Sequence, residues 1–82
     1  MIEVLSGQEF SKVDEFVSSF NQARLSNKNK WIVFRGLVDG KEVSIKSFGL
    51  WCQIFRVNGL DKSFPAMTSV TVWKESIRKG LL

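Results

Sequence analysis

Trp31-Ile32-Val33-Phe34-Arg35-Gly36-Leu37-Val38, then Asp39-Gly40, then Lys41-Glu42-Val43-Ser44-Ile45-Lys46-Ser47-Phe48: this stretch decides how the chain folds. Two runs rich in β-branched and aromatic residues flank an Asp-Gly pair. A type I′ turn needs positive φ at both central positions, and Asp-Gly accepts that at low steric cost. The stretch therefore reads as a β-hairpin. The pattern recurs downstream. Around Phe48-Gly49 the chain turns into a third run, Leu50 to Val57. Asn58-Gly59 then forms a second two-residue turn into a short fourth strand, Leu60 to about Phe64. That turn would set Arg56 opposite Asp61, a favourable cross-strand charge pair. Pro65, which lacks a backbone N–H for the ladder, ends the sheet region.

Upstream, Met1 to Leu5 alternates weakly and reads as a short edge strand. Ser6-Gly7-Gln8-Glu9 fits a capping box, with Ser6 accepting from the backbone N–H three residues on and Glu9 reaching back. Phe10, Val13, Phe16, Val17 and Phe20 follow at helical spacing, which predicts a helix over about 7–25. Ser26-Asn27-Lys28-Asn29-Lys30 is a polar loop. After the sheet, Thr68 or Ser69 can cap a second helix over roughly 70–79, striped by Val70, Trp73 and Ile77. Lys74, Arg78 and Lys79 fall toward its negative end, and Gly80 fits the residue just past its last turn. The expected fold class is α+β: an antiparallel β-meander of three to four strands flanked by an N-terminal and a C-terminal helix, (β)αβββ(β)α. Eighty-two residues without a visible linker or repeat are expected to form a single domain, 1–82.

Composition narrows the chemistry. The chain has no histidine and one cysteine, Cys52. Zinc and most transition-metal sites draw on those two residue types, and hydrolytic triads need an imidazole base. No metal site, no cofactor and no enzymatic activity are expected, and Cys52 reads as a small buried hydrophobe. No Gly-rich phosphate loop is present. Gly36, alone inside a strand, marks a bulge or a close approach by a helix. The N-terminus carries Glu3 and no basic segment, so it does not resemble a signal peptide, and no run approaches the ~20 apolar residues of a membrane span. A cytoplasmic setting is expected.

The net charge of +4 is unevenly spread. Residues 1–23 hold Glu3, Glu9, Asp14 and Glu15 against Lys12, whereas residues 24–82 hold eleven Lys and Arg against Asp39, Glu42, Asp61 and Glu75. A basic remainder favours anionic partners.

Side chains alternate across a strand, so the turns assign each residue to a face. With two-residue turns throughout, Ile32, Phe34, Val38, Val43, Ile45, Leu50, Cys52 and Ile54 share an aliphatic face that reads as core. The other face carries Trp31, Arg35, Lys46, Phe48, Gln53 and Phe55, with Trp51 opposite Lys46 and Arg35 opposite Ser44. A three-residue loop at Gly49 would instead flip the third strand and move Trp51 and Phe55 to the aliphatic face. Three readings of the aromatic face compete: a second core layer with one helix on each face, a protein interface, and a nucleic-acid platform. Under the last, bases stack on Trp31, Phe48, Trp51 and Phe55, while Arg35, Lys46, Lys28 and Lys30 serve phosphates. The leading expectation is a small basic binding module for single-stranded nucleic acid. The alternative is a protein-interaction module, as a homodimer or a modulator of another protein, using the same face. The size, basic charge and build are of the type of a small phage or mobile-element accessory protein.

Overall fold

Asp39-Gly40 and Asn58-Gly59 form the expected turns in the computed structural model, which describes residues 3–49, 51–65 and 68–82. Asp39 and Gly40 have φ of 52° and 76°, Asn58 and Gly59 of 56° and 80°. These are the type I′ values that match the twist of the flanking strands. The elements run β1 (Glu3–Phe10), α1 (Val13–Leu25), β2 (Trp31–Val38), β3 (Lys41–Phe48), β4 (Cys52–Val57), β5 (Leu60–Pro65) and α2 (Val70–Leu81). They build one five-stranded sheet in the order β1-β2-β3-β4-β5.

The fold is α+β, but the sheet is mixed rather than an antiparallel meander. β2 to β5 pair antiparallel, whereas β1 pairs parallel to β2, with Glu3 beside Ile32 and Phe10 beside Val38. Parallel neighbours need a crossover, and α1 supplies it. This corrects the N-terminal reading. Ser6 and Glu9 lie in β1 rather than at a helix start, and the helix begins at Val13 after Lys12, which makes no side-chain cap. The helical spacing of Phe10 is coincidental. It ends a strand yet still packs on the core, its ring 5.5 Å from that of Phe16. Met1 and Ile2 of the expected strand lie outside the described residues, as does Leu50 of the expected aliphatic face.

α2 follows its expected start, because the Ser69 hydroxyl accepts from the Val72 N–H. Its end differs. Gly80 lies inside the helix, where a Cβ would come within 2.7 Å of Val57 Cγ1. The glycine lets α2 approach β4 rather than stopping the helix.

Both helices pack on the same face of the sheet. Phe16, Val17 and Phe20 of α1 and Trp73 and Ile77 of α2 join Phe34, Val43, Ile45, Phe55 and Phe64 in one core. Gly36 makes room for α1, because a Cβ there would lie 3.0 Å from the Phe16 ring. Arg78 and Lys74 of α2 reach Asp14 of α1 at 2.7 and 3.6 Å, which ties the helices at the surface. The arrangement with one helix on each face does not occur. Among the described residues no helix is long and apolar enough to cross a membrane.

Candidate functional site

The loop after β3 sets which side chains the open face presents. It spans residues 49–51, three residues rather than two, and the extra residue flips β4 relative to the expected register. Ser47 thus pairs with Gln53, Ile45 with Phe55 and Val43 with Val57, all toward the helices. Phe55 is 2% exposed, with its ring 4.9 Å from Phe64 and 5.6 Å from Trp73. It is a core residue and leaves the candidate site. Gln53, expected outside, is fully buried as well. Cys52, Ile54 and Arg56 move the other way, onto the open face.

Trp51 lies on neither face. It sits in the loop and is 74% exposed. Several contacts hold that loop. The Trp51 N–H donates to the Phe48 carbonyl at 3.0 Å. Ser47 Oγ and Gln53 Nε2 both donate to the Gly49 carbonyl, at 3.2 and 3.4 Å, which ties two polar side chains of the core to the loop. Gly49 has φ of +54°, in the left-handed region, and any Cβ would overlap the Lys28 carbonyl oxygen. The loop carrying Lys28 and Lys30 is therefore packed against the loop carrying Trp51.

Register partners share a face, so the open face is a series of rungs. The first holds Trp31, Phe48 and Cys52, the second Val33, Lys46, Ile54 and Ser63. The third holds Arg35, Ser44, Arg56 and Asp61, and the fourth Glu9, Leu37 and Glu42. Lys46 is thus opposite Ile54 rather than Trp51, and Arg35 is opposite Ser44 as expected. The Trp31 and Phe48 rings meet at 5.3 Å between centroids, and Lys46 Nζ lies 5.2 Å from the Trp31 centroid. Such a cation over an indole is held by the ring quadrupole. Trp31, Lys46, Phe48, Trp51, Lys28 and Lys30 gather at this end, with Arg35 two rungs down. Arg56 forms a two-bonded fork with Asp61 at 2.7 and 3.1 Å. These hydrogen bonds and the Arg56 charge hold the Asp61 carboxyl below its ordinary range.

The helix side is also indented, and one of its grooves, of about 580 Å³ between α2 and the β4–β5 hairpin, exposes Leu60 and Val72. Its charged lining, Asp61 and Glu75 against Lys62 and Lys79, balances and favours no ion. Among the described residues no three His, Cys, Asp or Glu side chains converge. Comparison with protein-family models, curated proteins and solved structures found no significant match to this chain.

The three-residue loop at Gly49, the alternative in the sequence reading, is the one that forms, and its signal was a glycine three residues before Cys52 that permits positive φ and hence a longer loop. Nothing in the sequence gave the loop length itself.

Proposed function

We propose that this protein is a non-enzymatic binding module for single-stranded nucleic acid, and that the ligand is held at the Trp31–Trp51 end of the open sheet face. The observation that carries the proposal is the placing of both helices on one side. It leaves Trp31 and Phe48 half-buried and Trp51 exposed beside Lys28, Lys30 and Lys46. Bases stack on flat rings with little sequence preference, and lysines neutralise the phosphates between them. Arg35 borders the same area. Phe55 takes no part.

Titration of intrinsic fluorescence with single-stranded oligonucleotides at low salt tests the proposal. Trp51 fluorescence should be quenched, and affinity should fall as salt rises. No binding at low salt would end the reading. A protein partner on the same face is the competing reading, favoured by the half-exposed apolar Val33 and Ile54 in its middle. In that case association would depend weakly on salt, and concentration-dependent light scattering or one co-purifying protein would report it.

A further inference from the structure

We infer, resting on the nucleic-acid reading above, that the bound strand crosses the sheet at its aromatic end and touches only about three phosphates, rather than running along the strands. Charge changes sign down the open face. The aromatic end carries Lys28 and Lys46, with Arg35 two rungs down, whereas the fourth rung ends in Glu9 and Glu42, six residues or ~20 Å from Trp31 along β2. A strand laid along β2 and β3 would carry its phosphates into those carboxylates. Between the two ends, Arg56 has both fork positions bonded to Asp61, so its charge is already matched. The stacking rings show the same restriction, because Trp31, Phe48 and Trp51 all lie in or beside the first rung. β4 there presents Cys52, and among the described residues no aromatic ring continues the track across β4. The ligand class is thus a short single-stranded segment or end of about four nucleotides, which holds three phosphates.

Salt dependence measures the footprint. For single strands log K falls against log salt with a slope of about −0.7 per neutralised phosphate, so three contacts give about −2 and five give about −3.5. Oligo-dT and oligo-U of two to twelve nucleotides would be titrated by fluorescence anisotropy across a salt series. The slope should reach about −2 at the tetramer, the shortest oligomer with three phosphates, and stay there, and affinity should rise beyond it only in proportion to the number of registers. Lys46→Ala should flatten the slope, while Arg56→Ala should leave it unchanged. A slope that steepens steadily with length, or an Arg56→Ala loss equal to that of Lys46→Ala, overturns the crossing path and leaves the binding reading standing. Absence of binding at every length overturns both. A response of one sugar type alone supports the footprint and names the ligand as DNA or RNA.

Discussion

Trp73 and Trp51 are the same residue in opposite circumstances. Trp73 of α2 is fully buried in the core, with the Phe20 and Phe55 rings 5.8 and 5.6 Å away, whereas Trp51 is 74% exposed on a loop. Phe55 and Phe48 repeat the contrast within the sheet. The helix-covered face spends its aromatic rings on cohesion. The open face holds its rings at one end, next to cations, where they contribute less to the fold. An aromatic residue in this sequence therefore carries no fixed meaning until the face is known.

The contrast can be broken most directly at Phe55. Phe55→Ala should destabilise the protein by about 3–5 kcal/mol in chemical denaturation, whereas Phe48→Ala on the other face should cost much less. Equal losses would show that the two faces are not packed differently. Gly49→Ala comes next, at about 2–4 kcal/mol, because it adds an overlap with the Lys28 backbone to a left-handed conformation. A silent Gly49→Ala would mean the two loops do not meet. Trp51→Ala sharpens the functional half: about 1–3 kcal/mol of oligonucleotide binding should be lost if a base stacks there, with stability changed by no more than ~0.5 kcal/mol. Loss of both together would make Trp51 a structural residue.

Two smaller effects concern surface charge. Asp14→Ala removes the tie to Arg78 and Lys74 and should lower stability by ~0.5–1 kcal/mol, less in high salt, since the carboxylate is half exposed. Asp61 belongs to the open face. Its carboxyl is depressed by Arg56, so the fork's contribution is present above the unfolded carboxyl's ordinary pKa and is lost as pH falls through the lowered folded value. Carboxyl carbon shifts followed against pH should show Asp61 titrating below the ordinary aspartate range, and Arg56→Ala should return it toward that range.

Much of the fold was legible because its signals are local. Asp39-Gly40 and Asn58-Gly59 demand their turns wherever they occur, so β2 with β3 and β4 with β5 were readable, including Arg56 opposite Asp61. Ser69 and the Val70, Trp73, Ile77 stripe announced α2. β1 was not legible. Ser6 and Glu9 satisfy a capping pattern and Phe10 satisfies helical spacing, but pairing with β2 through a crossover is a long-range gain that no window of sequence displays. For the candidate site, Trp31, Arg35, Lys46 and Phe48 were placed on the correct face, since one unambiguous hairpin fixes all four. Phe55 was misplaced because one added loop residue reverses every side chain of β4.

The sequence by itself determined the tight turns, the second helix and the alternation that sorts each strand into two faces, because backbone sterics and side-chain period act over a few residues. Only the tertiary structure decided that both helices cover the same face, that β1 joins in parallel, and which way β4 presents its rings. Those outcomes depend on burying one continuous apolar surface, a free energy shared by residues far apart in the chain.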